Sequence, residues 1–349
     1  MNENKERIIL DVAYQPQVRT KTDTQRLMLR VIIALLPAVA VSVFMFGVNP
    51  LIVIVSSVCS AVFFEWAYRK LTHKSATIGD FSAVVTGLLL ALTLPPSAPW
   101  WLPVIGTFFG IVVVKQLYGG IGKNFLNPAL AGRAFLLASY AMLMGRYPAP
   151  AALKGVEGVD AISAATPLSF LYGSDPMPAY YNVKTLFLGI IPGAIGEISA
   201  LALLIGGLYL ILSKVISWRI PVSFIGTVAV LTLIFGRGEM SHVDFMLYNI
   251  LSGGLILGAF FMATDYATSP VTLNGQLLYG AGCGAITVLI RYFGGFPEGV
   301  SYAILLMNLC AWAIDKGFHR HQFGVSKEDL QAEKAAKKAE KKAAKEAAK

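Results

Sequence analysis

The residues of this chain that offer chemistry are few and of two kinds. The first is a hydroxyl. In Asp160-Ala161-Ile162-Ser163-Ala164-Ala165-Thr166-Pro167-Leu168, Thr166 stands among small residues within the longest break in an otherwise apolar sequence. Small neighbours leave room for another molecule to close on the Thr166 oxygen, and Asp160 can orient the segment. The second kind is a carboxyl in or at the edge of an apolar run: Glu65, Asp80, Glu197, Asp265, Glu298 and Asp315. On insertion scales such a group costs about 2.5 to 3.5 kcal/mol at mid-helix, so it tends to serve an ion or proton pathway where it occurs. Most of the six lie near run ends, where they snorkel or pair with a base at little cost. The functional reading is strongest for Glu65 and Asp265.

Other reactive types read as structure. Cys59, Cys283 and Cys310 each sit alone in an apolar run, without CxxC spacing or a neighbouring histidine, and read as small hydrophobes. A metal or iron–sulfur centre held by this chain alone is not expected. His73, His242, His319 and His321 lack ligand spacing; the last two belong to a basic juxtamembrane patch. Arg133 and Asn127, beside Gly132, lie just inside an apolar run. Such a guanidinium can hold a phosphate or an acid, but its position favours anchoring the run at the membrane surface. Trp100-Trp101 reads as an interfacial anchor.

The elements that position these groups are membrane helices. The 349 residues are 56% hydrophobic and only 14% charged, with a mean hydropathy of +0.63, where soluble chains run near a quarter charged. The apolar runs are about 17 to 25 residues long, enough to cross a hydrocarbon core as helices. The expected fold is an all-α polytopic membrane protein of about ten transmembrane helices in two five-helix halves. The spans run from 27 to 46, 51 to 68, 79 to 95, 101 to 118 and 126 to 146, then 184 to 213, 220 to 236, 244 to 263, 275 to 291 and 299 to 316. Two of them invite a break. The apolar stretch before Pro95-Pro96 is short, and Pro192-Gly193 interrupts a long one.

Residues 1–26 read as a basic cytoplasmic arm ending in Thr20-Lys21-Thr22-Asp23-Thr24-Gln25-Arg26, whose Asp23 and Thr24 can cap the first helix; they hold no apolar core and are not expected to be a cleavable signal. The halves cover 27–146 and 184–316, separated by a loop at 147–183, and 317–349 is a charged, solvated tail. One face of this arrangement collects 24 of the 29 Lys and Arg residues, and the other keeps Arg146, Lys154, Lys184, Arg237 and Arg291. The positive-inside rule then makes both termini cytoplasmic and the loop extracytoplasmic, in the inner (cytoplasmic) membrane. The net charge of +9 is thus a topological signal, and the partner surface is membrane lipid rather than nucleic acid. Five spans per half would make any repeat an inverted one. Thr86-Gly87-Leu88-Leu89-Leu90 resembles Gly253-Gly254-Leu255-Ile256-Leu257, and Gly119-Gly120 before Asn127-Pro128-Ala129 resembles Gly294-Gly295 before Pro297-Glu298-Gly299.

The segment around Thr166 resembles the flavinylation motif Asp-x-x-Ser/Thr-Gly/Ala-Ala-Thr, in which a separate flavin transferase esterifies FMN through its phosphate to the Thr hydroxyl. The run Gly119-Gly120-Ile121-Gly122-Lys123-Asn124-Phe125-Leu126-Asn127-Pro128-Ala129-Leu130-Ala131-Gly132-Arg133-Ala134-Phe135 resembles the GKNxxNPAxxGRAF segment of the RnfD and NqrB family, which joins an Rnf complex component to one of Na⁺-translocating NADH:quinone reductase. So do Thr20 to Leu36, Leu94-Pro95-Pro96 to Trp101, Phe261-Met262-Ala263-Thr264-Asp265 and Phe296-Pro297-Glu298-Gly299. The resemblance runs from the N-terminal arm to the tenth span, and chain length favours the Rnf branch. Ala164 stands where the motif commonly has Gly or Ser, which leaves the acceptor hydroxyl intact.

The resemblance implies an electron-transfer component of a complex that passes electrons between ferredoxin and NAD⁺ and couples this to Na⁺ or H⁺ transport. It implies FMN on Thr166, with Asp160, Ser163 and Ala165 in the attachment motif, and allows a second, non-covalent flavin such as riboflavin. It implies the other Rnf proteins (RnfA, RnfB, RnfC, RnfE and RnfG) and a flavin transferase as partners. Glu65, Asp265 and Asp315 match acids associated with cation uptake in the quinone-reductase relative, and Glu298 joins them as an ion-pathway candidate. No residue of this chain need act as acid, base or nucleophile in turnover. The reading from another class is a channel or secondary transporter, since two halves with Gly and Pro breaks also suit a transporter; a transporter needs no flavin acceptor.

Overall fold

A computed structural model describes residues 23–75, 77–150, 153, 164–173, 177–178, 180–237, 240–295 and 298–318. Every regular element among them is helical. Helix α1 (Thr24–Phe46) starts where the Asp23 carboxylate accepts from the Thr24 N–H at 2.8 Å, and ends on Gly47, whose φ of +78° suits glycine. Helix α2 (Asn49–Leu71) has Pro50 in its first turn, where a missing N–H costs nothing. These two and α13 (Leu273–Phe293) are each long and apolar enough to cross a membrane unaided.

The remaining apolar stretches are shortened or broken. Helix α3 covers only Ser82–Leu92, as its length before Pro95-Pro96 predicts. Helix α4 (Trp101–Thr107) widens into a π-helix over Phe108–Gln116, a geometry found mostly at functional positions. Helix α5 (Pro128–Ser139) is capped by the Asn127 side chain, and the chain turns at Tyr140 into the short α6 (Ala141–Met144). The long stretch splits as Pro192-Gly193 predicts. After the short α7 (Pro167–Tyr172), helix α8 (Val183–Leu188) stops at left-handed Gly189, φ +97°; α9 (Ala200–Leu212) resumes with Ser199 as its cap.

Helix α10 (Arg219–Ile234) is continuous. The stretch from 244 to 263, expected as one span, is two pieces bent by 60°: α11 (His242–Leu251), then α12 (Leu255–Leu257) running on as a π-helix to Met262. The cause is Gly253-Gly254, both left-handed at φ +69° and +66°, which no continuous helix accommodates. Helix α14 (Val300–Gly317) completes the set.

Packing ties the halves together. Helix α1 lies along α9, α2 along α3 and α4, and α13 between α10 and α14. Two backbone hydrogen bonds join the break after α3 to the break before α9: Ile195 N–H to Leu94 O at 2.9 Å and Gly196 N–H to Leu92 O at 2.7 Å. A methyl on Gly196 would lie 2.6 Å from Leu92 Cβ, so only glycine lets the two stretches of backbone meet. The resembling Gly–Leu motifs take different places, 86–90 inside α3 and 253–257 across the bend. A closer correspondence is that α3 and α12 both begin after a left-handed residue, Phe81 at φ +59° and Gly254.

Candidate functional site

Thr166 precedes α7 with extended backbone, at φ −74° and ψ 154°. In that position a Thr side chain ordinarily caps the helix, accepting from an N–H two or three residues on. Here it does not: Ser169 N–H and Ser169 Oγ both go to the Thr166 carbonyl, at 3.0 and 2.7 Å. The Thr166 hydroxyl finds no partner among the described residues. It borders a cavity of about 430 Å³, lined also by Leu137, Met144, Tyr147, Ala165 and Glu298.

The segment is held from both sides. Ala164 N–H donates to Tyr147 O at 2.8 Å, Tyr181 Oη donates to Ala165 O at 2.7 Å, and Tyr248 Oη donates in turn to Tyr181 O at 2.8 Å. Burial pushes the Tyr181 phenol well above its ordinary value, so it remains a donor across physiological pH. Asp160 and Ser163 lie outside the described residues.

Glu298 connects this cavity to the interior. It accepts from Tyr147 Oη at 2.9 Å and forms a charged hydrogen bond with Arg133 of α5. Arg133 is therefore no surface anchor. It is 7% exposed and holds an acid from the other half of the chain. Beyond it lie Glu197, in the break before α9, and Arg291 of α13, whose N–H groups bind Asn249 O, Asn249 Oδ1 and Ser252 O at the broken end of α11.

A second cluster lies between α2, α3 and the π-helix after α4. Glu65, 1% exposed, accepts from Lys115 Nζ and from Thr77 Oγ1, each at 2.6 Å; Lys115 Nζ also reaches Ser82 Oγ at 2.7 Å. Lys115 opens onto a separate cavity of about 90 Å³, where Asn124, Asn127 and Asp265 converge. Asp265 accepts from Thr268 Oγ1 at 3.1 Å. Asp315 stands apart from both cavities: it accepts from Val271 and Thr272 N–H and from Thr272 Oγ1, and so caps α13 from α14.

The structure thus joins Thr166, Ala165 and Glu298 around one cavity and sets Asp265 at another, with Glu65 behind its wall. Sequence reasoning missed Lys115, whose place at the end of an apolar run mimics a snorkelling residue, and Tyr147, which nothing in its local sequence distinguishes. With Lys115, Arg133 and Arg291 turned inward, they no longer count toward orientation; the asymmetry of the remaining basic residues has the same sign.

Apolar helices with ionisable groups held at their breaks define a polytopic helical membrane protein with charged side chains in its interior. The chain belongs to the NQR2, RnfD, RnfE family, which it matches over residues 11–324. It is 47% identical over 326 residues to the D subunit of the Na⁺-translocating ferredoxin:NAD⁺ oxidoreductase complex of Acetobacterium woodii, covering 93% of this chain and 98% of the relative. The D subunit of the proton-translocating ferredoxin:NAD⁺ oxidoreductase complex of Clostridium ljungdahlii is 41% identical over 91% of this chain and 97% of its own. The corresponding D subunit of the ion-translocating oxidoreductase complex of Shewanella amazonensis is 40% identical over 87% and 95% respectively.

Proposed function

We propose that this chain is the RnfD component of an ion-translocating ferredoxin:NAD⁺ oxidoreductase complex, with FMN esterified to Thr166. The observation that carries the flavin is the Thr166 hydroxyl, left free of the cap bond its position invites and facing a cavity of about 430 Å³, within the range of about 300 to 1,000 Å³ that ligand pockets occupy. The small side chains of Ala164 and Ala165 leave the oxygen approachable by a flavin transferase. FMN, when bound, supplies the electron chemistry. The chain supplies its placement: the Thr166 ester fixes one end, Tyr181 and Tyr147 fix the backbone around it, and Tyr147 with Glu298 presents the polar wall of the cavity. The other proteins of the complex handle ferredoxin and NAD⁺.

The test is in-gel fluorescence of the denatured chain from cells that carry the transferase. A flavin band is expected, lost in Thr166→Val and retained in Thr166→Ser, while both variants insert in the membrane. A dark wild-type band with an unmodified intact mass would overturn the assignment. The cavity of about 90 Å³ where Asn124, Asn127 and Asp265 converge is below the size of ligand pockets, so a second, non-covalent flavin such as riboflavin would need another place. Denaturing the Thr166→Val complex and assaying the supernatant for released flavin tests whether a second flavin is carried.

A further inference from the structure

Glu197 differs from Glu298, the acid that lines the Thr166 cavity, in having no ion-pair partner among the described residues. It is 7% exposed, and among the described residues its one hydrogen-bond donor is Ala194 N–H, 2.8 Å from Oε1. Arg133 is committed to Glu298, and Arg291 Nη1 and Nη2 are committed to the end of α11, while Arg291 Nε has no partner among the described residues. The free Oε2 faces the bend at Gly253-Gly254, where a methyl on Gly254 would come within 2.7 Å of it. Glycine keeps that oxygen open. Two voids of about 10 Å³ adjoin it, each with room for about one water. One reaches Thr166 and Ser252, the other Arg133, Met262 and Ser301, and both are lined by Glu197 together with Glu298.

The charged groups that bear on Glu197 from the elements packed around it are Glu298, Arg133 and Arg291, with the Tyr147 phenol beyond Glu298. When Glu197 is ionised, the two acids and two bases cancel. A negative charge added in the Thr166 cavity, which Glu298 lines, breaks that balance, and the voids beside Glu197 hold only about one water each to screen it there. Glu298 already accepts hydrogen bonds from Arg133 and Tyr147. Glu197 is the acid left to respond.

We propose that Glu197 is a redox-linked proton site: its carboxylate takes up one proton from water when the cofactor in the Thr166 cavity gains one electron, and gives that proton up when the electron leaves. The inference rests on the flavin reading above. One O–H bond forms on Glu197 and one breaks in a hydronium ion or water chain; the electron comes from the reduced donor of the complex, or from dithionite in the test.

The experiment is reduction-induced infrared difference spectroscopy on the purified, assembled complex. In wild type a carboxylic C=O stretching band should appear on reduction by dithionite and shift in D₂O. Glu197→Gln should lose that band and Glu197→Asp should move it. The Asp variant keeps the test valid if the Gln variant fails to assemble. In-gel fluorescence and bleaching of the flavin absorbance are read on the same samples. If the flavin is present and bleaches, but no such band appears or the band is indifferent to both substitutions, the proton site is overturned and the flavin reading stands. A chain without flavin removes both.

Discussion

Lys115 follows the apolar run 108–114, a place where a lysine usually extends toward water. Within the π-helix it turns inward instead, to Glu65, and the two charges satisfy each other out of solvent. Removing one member of such a pair strands the other as a buried charge, at a typical cost of about 3 to 5 kcal/mol, whereas replacing both with apolar residues is often near neutral. Lys115→Met should accordingly lower the melting temperature of the purified complex markedly, and Lys115→Met with Glu65→Leu should recover most of the loss. If the double variant melts no higher than the single one, the pair is not the source of the effect. At this scale the sequence is legible where a residue's own neighbours reveal its task. It marks Asp23 in this way, from its place before the first helix. It is silent where the partner is distant. Nothing near Arg133 announces Glu298, 165 positions away, or tells Asp315 the helix cap from an ion-pathway acid.

At the scale of elements, proline and glycine signals located two of the three major breaks, those after α3 and before α9. The third, at Gly253-Gly254, looks in sequence like a glycine pair tolerated within an apolar run, and only the left-handed torsions of both residues make it a bend. The π-helices have no sequence signature in composition or period. Glycine also sets how closely α13 approaches α10: a methyl on Gly280 would lie 1.9 Å from Ser223 Oγ, and one on Gly284 would lie 2.8 Å from Phe224 O. Overfilling such a contact costs about 1 to 3 kcal/mol, so Gly284→Val should yield a chain that inserts but dissociates from the complex at a lower temperature in native gels. The same substitution at Gly226, where nothing lies within 4 Å, should have little effect.

For the whole molecule, composition established a polytopic helical membrane protein, because a chain this poor in charge has few other ways to satisfy its backbone. Among the described residues, three helices and one bent pair have the length and apolarity of spans; the shorter ones depend on their neighbours, which an isolated hydropathy run does not display. Orientation remains a matter of charge. A membrane-impermeant thiol reagent on intact cells should label a cysteine placed in 147–183 and spare one placed in 317–349; the reverse pattern would invert the arrangement. A channel or transporter of similar outline would have to move one half against the other. The hydrogen bonds from Ile195 and Gly196 to Leu94 and Leu92 run main chain to main chain between the halves, in a region with little water to replace them. Rocking motions that expose a site first to one side and then to the other would have to tear those bonds at each cycle. At this joint the two halves are therefore built as one frame, with the break after α3 and the break before α9 fastened to each other.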